Sequence, residues 1–283
     1  MERIGVIGAG QMGSGISQTF AQAGYPIVLF DISEQQLEKA LKGIEQNLLK
    51  LVKKGSISES EIRNTISRIL VVQDLGAFKD NDVIIEAVSE DERLKIDLFV
   101  QLDQIAKKEA IIASNTSSIS ITRIASVTNR PGQIIGLHFM NPVPLMKLVE
   151  IIKGHNTSES TFKTAKNLVM NLGKEYCVSE DYPAFIVNRV LIPMINEAIF
   201  AVFEGVGKPE EIDKGMKLGT NQPMGPLALA DFIGLDTCLA VMNVLFGGFK
   251  EPKYRPCPLL VKMVEAGHLG RKSGIGFYRY RDA

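Results

Sequence analysis

The stretch IGVIGAGQMG near the start of the chain constrains the fold more than any other. Residues 3–7 are a short apolar run that stops at Gly8-Ala9-Gly10-Gln11-Met12-Gly13. SGISQTFAQAG follows and reads as a helix, and then YPIVLFD, a second apolar run closed by Asp31. The order is strand, glycine-rich turn, helix, strand, acid. Each glycine has its own physical task. Gly8 permits a tight turn, Gly10 omits a side chain where backbone must approach a pyrophosphate, and Gly13 lets the helix pack closely on the strand. The helix N-terminus then offers unpaired N–H groups to phosphate. Glycines also fill ordinary turns. Here the GxGxxG lies between a strand and a helix, with an acid eighteen residues after Gly13, and the segment Gly8 to Gly13 marks a dinucleotide site.

Asp31 speaks to which dinucleotide. A carboxylate at the end of the second strand accepts hydrogen bonds from ribose hydroxyls and repels a 2′-phosphate, and Asp31-Ile32-Ser33 offers no arginine to neutralise one. NAD is favoured over NADP. The same carboxylate can also cap the helix that begins near Ser33.

The pattern continues as α/β. Residues 82–88 (DVIIEAV), 110–118 (AIIASNTSS), 133–139 (QIIGLHF) and 148–153 (LVEIIK) read as further strands. Between the first two strands and these lies a lysine-rich helical stretch, residues 33–67. Its apolar positions Leu37, Leu41, Ile44, Leu48 and Leu51 recur at helical spacing, and a break at Gly55-Ser56 predicts a helix-turn-helix projecting from the sheet. The fold class that follows is an N-terminal Rossmann-type doubly wound sheet with a helix-turn-helix insertion. In such sheets ligands sit beyond the carboxyl ends of the strands. Those ends carry Gly8, Asp31, Glu90, Ser117 and His138.

His138, one of three histidines, ends the run GLHF, and Glu150 follows twelve residues later across Asn141-Pro142-Val143-Pro144. A proline-containing turn lets the next strand run back and bring the acid to the imidazole. Histidine titrates near physiological pH, which suits a base that removes a hydroxyl proton while hydride leaves the same carbon. Glu150 then fixes the tautomer and stabilises the imidazolium. From these residues alone the pair reads equally as a structural histidine beside a surface acid. His155 and His268 lie in polar, loop-like contexts and have weaker claims.

After residue 182 helical spacing replaces the strand-helix alternation, which places a domain boundary there: residues 1–182 and an all-α domain, residues 183–283. PAFIVNRVLIPMINEAIFAVFEG reads as one long helix kinked or broken at Pro193. KPEEIDKGMKLG reads as a helix opened by proline and closed by glycine, PLALADFIGLDTCLAVMNVLF as a single apolar helix and PLLVKMVEAGHLG as a shorter one. So apolar a domain of this size points to packing against a second copy.

The 283 residues carry 32 basic and 32 acidic side chains, so no charge field directs the chain to nucleic acid or to an anionic membrane surface. Cys177, Cys238 and Cys257 show no metal-ligand spacing, and their odd number argues against a disulfide scaffold. A strand that starts almost at the first residue leaves no room for a targeting segment, and no apolar run reaches the roughly 20 residues that span a bilayer. A reducing cytoplasm is the expected location, with no metal.

Seven segments, spread from end to end, carry a resemblance: IGVIGAGQMGSGI, VIIEAVSEDERLKIDLF, ASNTSSISIT, GLHFMNPVPLMKLVEII, PAFIVNRVLIPMINEA, KLGTNQPMGPLALADFIGLD and GRKSGIGFYRY. In this order they resemble the L-3-hydroxyacyl-CoA dehydrogenases. The resemblance implies NAD as cofactor, a short 3-hydroxyacyl-CoA such as 3-hydroxybutyryl-CoA as substrate, and a homodimer formed through the helical domain. It implies a site in the cleft between the domains, whose closure excludes water. It makes His138 the general acid/base and Glu150 its orienting partner. Ser117 bonds the reacting oxygen near the nicotinamide, and Asn188 holds the substrate carbonyl. Glu90, Lys95, Asn141 and Lys272 become cofactor contacts, and Lys95 also lies near the substrate. Lys50 and Lys54 fall in the region that grips coenzyme A, whose phosphates lysines meet as point charges. Two rivals keep the same architecture: a dehydrogenase of a free hydroxy acid, which needs no basic grip, and a non-catalytic NAD-binding regulator.

Overall fold

The computed structural model describes residues 2–280. The chain divides between Tyr182 and Pro183 into two compact units. In the first unit the strands are β1 (Ile4–Ile7), β2 (Ile27–Phe30), β3 (Ile69–Val72), β4 (Val83–Glu86), β5 (Ile111–Ser114), β6 (Ile134–Phe139), β7 (Leu148–Lys153) and β8 (Glu175–Glu180). Among the described residues these eight form one sheet in the order β3-β2-β1-β4-β5-β6-β7-β8. The first six are mutually parallel in the 3-2-1-4-5-6 order of dinucleotide-binding sheets, while β7 runs antiparallel to β6 and β8 parallel to β7. Strands β1, β2, β4 and β5 are buried along their whole length, which requires cover on both faces and explains their unbroken apolar runs.

The helices of this unit are α1 (Gln11–Gln22), α2 (Glu34–Lys53), α3 (Glu59–Ser67), α4 (Glu92–Ile105), α5 (Ile121–Ala125) and α6 (Glu159–Asn171). The helix-turn-helix predicted for residues 33–67 is the pair α2 and α3. Ser33 caps α2 by accepting from the Gln36 N–H, and Ser58 with Glu61 forms a capping box on α3. The inner face of α2 joins the core of the sheet through Leu37, Ala40, Ile44 and Leu48. Lys50, Lys53 and Lys54 are exposed at the end of α2.

The sequence reading left two strands unassigned, β3 and β8, and both lie at sheet edges. Part of each faces solvent, so EYCVSE in particular lacks the continuous apolar run that marked the inner strands.

The second unit is helical: α7 (Val187–Phe203), α8 (Pro209–Thr220), α9 (Pro226–Ile233), α10 (Leu235–Phe249) and α11 (Pro258–Glu265) around their own core. Three expectations need correction here. Helix α7 starts at Val187, because Ala184 and Phe185 adopt left-handed backbone (φ 64° and 55°), and it then continues through Pro193 without a break. Helix α8 ends at Thr220 on a left-handed Asn221 rather than at Gly219. The segment PLALADFIGLDTCLAVMNVLF is two helices, not one. Gly234, at φ 105° and ψ 125°, is outside helical geometry, and α9 and α10 meet there at 97°. Among the described residues no single helix is long and apolar enough to cross a membrane.

Candidate active site

The glycine-rich turn links β1 to α1 at the point where the strand order reverses. Gly8 sits at φ +98°, with its N–H donating to the Phe30 carbonyl. A side chain at Gly13 would collide with the Gly8 carbonyl oxygen, so this glycine sets how closely α1 docks on the turn. Gly10 differs. Its backbone is at φ −68°, open to any residue, and a Cβ built there meets nothing within 4 Å. Neither strain nor packing explains a glycine at that position. Close approach of a ligand does, and the turn therefore fits a pyrophosphate.

Asp31 follows β2. One carboxylate oxygen accepts from the Ala9 N–H (2.9 Å) and the other from the Ser33 N–H (2.9 Å), so the side chain is pinned to the turn it faces. The helix cap itself is Ser33. Gly8, Gly10, Asp31, Val88, Asp97 and Leu98 are among the walls of a cavity of about 520 Å³ that mixes polar and apolar side chains, a size that suits an adenosine half. Gln11 donates to the Asn141 side-chain oxygen (3.1 Å), tying the start of α1 to the loop between β6 and β7. Met12 packs its side chain against the core.

That loop passes through a cis Asn141–Pro142 bond and Val143, which packs on Gly15. It returns the chain as β7, antiparallel to β6, in a register that sets His138 directly opposite Glu150. Directly opposed residues share one face at close range. Accordingly His138 Nδ1 lies 2.6 Å from Glu150 Oε2, with Glu150 wholly buried and the histidine nearly so. A carboxylate accepts only, so Nδ1 carries the proton in this contact, which leaves Nε2 as the nitrogen through which the ring could exchange one. Lys174 anchors the same loop from below, donating to the carbonyls of Val143 and Met146 (2.7 Å each). Burial pulls its ammonium below the ordinary lysine range.

The carboxyl ends of β4 and β5 hold Glu90, Lys95 and Ser117. Glu90 Oε1 accepts from the Thr116 hydroxyl and from the N–H groups of Ser117 and Ser118 (2.9 and 3.1 Å). Partial burial alone raises the Glu90 carboxyl. The Lys95 charge and these hydrogen bonds outweigh it and hold the group below the usual carboxylate range. Lys95 is turned inward, 1% exposed, on Glu86 and Glu90. Behind them Glu86 accepts from Lys95 and from the Ser114 hydroxyl, and the sequence reading singles out neither Glu86 nor Ser114. The available signal was an acid closing an otherwise apolar strand, VIIE.

The structure thus brings Gly8 to Gly13, Asp31, Glu90, Lys95, Ser117, His138, Asn141 and Glu150 to the carboxyl edge of one sheet. Lys50 and Lys54 lie apart at the far end of α2. A second cavity, about 410 Å³, lies along α1, α2 and the β6–β7 loop, with Lys39, Asn47 and Asn141 in its wall. Asn188 and Lys272 belong to the helical unit. Asn188 stands in the first turn of α7, just after the left-handed Ala184 and Phe185, a conformation that costs about 1–2 kcal/mol per residue. Lys272 pairs with Asp236 at 2.6 Å. All three cysteines are free thiols. Cys177 is opposite Glu150 on β8, and burial together with that charge raises its thiol above the ordinary cysteine range. Among the described residues no cluster of histidine, cysteine and acidic side chains could hold a metal.

Known proteins resemble the chain over both of its units. The NAD-binding domain of 3-hydroxyacyl-CoA dehydrogenase matches residues 3–182, and the C-terminal domain of the same enzyme matches residues 185–280. The 3-hydroxybutyryl-CoA dehydrogenase of Bradyrhizobium diazoefficiens is 54% identical over 283 residues, covering 100% of this chain and 97% of that protein. That of Clostridioides difficile is 50% identical over 278 residues, covering 98% and 99%. The crystal structure of (S)-3-hydroxybutyryl-CoA dehydrogenase from Ralstonia eutropha superposes with a TM-score of 0.98 at 48% identity, covering 100% of both chains. With both domains matched in order and half of its residues shared with such relatives, the chain belongs to the 3-hydroxyacyl-CoA dehydrogenase family.

Proposed function

We infer that the chain catalyses the reversible reaction of (S)-3-hydroxybutyryl-CoA with NAD⁺ to give acetoacetyl-CoA, NADH and a proton. The observation that carries this reading is the buried 2.6 Å contact of His138 with Glu150 at the carboxyl edge of a dinucleotide-binding sheet. When bound, NAD⁺ supplies the acceptor for the hydride that leaves C3 of the substrate. The chain's own residues do the rest. His138 Nε2 takes the hydroxyl proton in oxidation and returns it to the developing alkoxide in reduction. Glu150 holds the ring through Nδ1 and offsets the imidazolium charge. Ser117 donates to the reacting oxygen, and Asn188 holds the thioester carbonyl. Gly8 to Gly13 and Asp31 bind the pyrophosphate and ribose, and Glu90, Lys95, Asn141 and Lys272 serve the cofactor side. Coenzyme A takes the cavity walled by Lys39 and Asn47, with Lys50 and Lys54 meeting its phosphates.

Acetoacetyl-CoA tests this directly. NADH oxidation, followed by absorbance, is expected to be fast with the thioester and undetectable with free acetoacetate. NADPH should be at least roughly tenfold less efficient, because Asp31 repels its 2′-phosphate. Equal turnover of the free acid points to a hydroxy-acid dehydrogenase, and NADH binding with no turnover to a regulator.

The same reading makes the chain a homodimer through its helical domain. Val190, Val206, Leu218 and Phe232 expose large apolar side chains there, a density that favours cover by a second copy. Sedimentation should return twice the chain mass, and a monomer at micromolar concentration would refute the dimer.

A further inference from the structure

Glu86 has no part in the chemistry above, yet it is one of the most completely buried charged groups in the molecule, 0% exposed at the end of β4. In the sheet register it lies between Ile7 of β1 and Ser114 of β5. Its Oε1 accepts from Lys95 Nζ (2.5 Å) and the Val88 N–H (2.8 Å), and its Oε2 from the Ser114 hydroxyl (2.6 Å). Lys95 also faces Glu90 at 3.5 Å. Glu90 in turn gathers the loop after β5, accepting from the backbone of Ser117 and Ser118 and from the hydroxyls of Thr116, Ser117 and Ser118. Ser114 closes the circuit, since its oxygen accepts from the Thr116 N–H (3.2 Å).

Stability is a poor explanation for this arrangement. Desolvating a carboxylate and an ammonium is expensive, and apolar replacements of similar volume are often neutral or stabilising. The register partner Ile7 shows that an aliphatic side chain is accommodated in this row of the sheet. What the ion pair does supply is direction. Two carboxylates share one lysine, so Glu90 faces only part of the Lys95 charge and keeps Oε1 for the serine loop. With Glu86 neutral, Lys95 would be balanced by Glu90 alone and would draw that carboxylate away from Ser117.

We propose that Glu86 is a positioning residue: through Lys95 and Glu90 it sets the loop that presents Ser117 to the reaction. This rests on the reading of Ser117 and Glu90 given under the proposed function. E86Q keeps the shape and acceptor of the side chain while removing its charge. It is expected to lower kcat for acetoacetyl-CoA about tenfold and weaken NADH binding about fivefold, with KM for acetoacetyl-CoA within about twofold. A purely structural role would lower the melting temperature and leave that split absent. S114A, which removes a partner of both Glu86 and Thr116, should shift kcat and NADH affinity in the same direction by about two- to threefold. It serves as the test if E86Q does not fold. Wild-type turnover tests the reaction itself, whereas the ratio of variant to wild type tests Glu86, and NADH fluorescence titration reads that ratio even without turnover. Wild-type kcat and NADH affinity in folded E86Q, or in S114A if E86Q does not fold, overturns the proposal.

Discussion

H138Q is expected to lower kcat for acetoacetyl-CoA reduction by roughly 10²–10⁴-fold, the range general acid–base catalysis supplies. NADH affinity should stay within about twofold, because the loss is confined to the chemical step. Glutamine is chosen because its amide can still donate to Glu150 Oε2, now held at 2.6 Å by His138 Nδ1. Truncation to alanine would instead remove the imidazole donor from the fully buried Glu150, and breaking a buried pair by deleting one member costs about 3–5 kcal/mol. Loss of turnover in H138A would then mix chemistry with folding. Stopped-flow reduction and NADH titration on the same H138Q preparation separate the two. Turnover within tenfold of wild type would remove His138 from its role.

G13A and G10A form the second test, with opposite signatures. At position 13 a methyl group overlaps the Gly8 carbonyl oxygen, which is backbone and cannot swing aside. The turn and α1 must separate. Overpacking of this kind costs about 1–3 kcal/mol, and in a domain of this size that lowers the melting temperature by roughly 3–10 °C. NADH binding should fall more than tenfold as the turn is displaced. At position 10 the methyl group meets nothing within 4 Å, and the backbone at φ −68° accepts alanine. G10A should melt within about 1–2 °C of wild type yet still lose NADH affinity, because only the ligand needs that space. If G10A bound NADH normally, the pyrophosphate would not lie against Gly10.

Much of this was legible in the chain. The β1–turn–α1–β2 unit is written in contiguous residues, and each of its parts answers to a local rule: apolar runs for buried strands, glycines for close approach, an acid for ribose. The helix pair after β2 was equally plain from apolar periodicity and the break at Gly55-Ser56. The single helix read into PLALADFIGLDTCLAVMNVLF shows the limit of local rules. Apolar spacing continues through Gly234, but the backbone there is at φ 105°, where a Cβ would crowd Asp236 and Lys272. Contacts distant in sequence overrule the pattern. Strand β8 escaped because EYCVSE is half polar and faces solvent at the sheet edge, and β3, although apolar, is four residues long and follows directly on the helical stretch that ends at Ser67.

The candidate site divides along the same line. The sequence by itself laid out the chemistry available: the glycine turn and Asp31 are recognisable by type and spacing, whereas His138, Glu150 and Ser117 take their roles from the family resemblance. It could suggest, but not establish, that Glu150 meets His138. The antiparallel register of β6 and β7 decides that, because a shift of one residue would point the acid to the other face of the sheet. Nor could spacing reveal Glu86. An acid at the end of an apolar strand is ambiguous until β5 brings Ser114 beside it and α4 returns Lys95 to its carboxylate. Residue identity sets what a side chain can do, but hydrogen bonds between strands and helices far apart in the chain set which partner it meets, and that choice belongs to the tertiary structure.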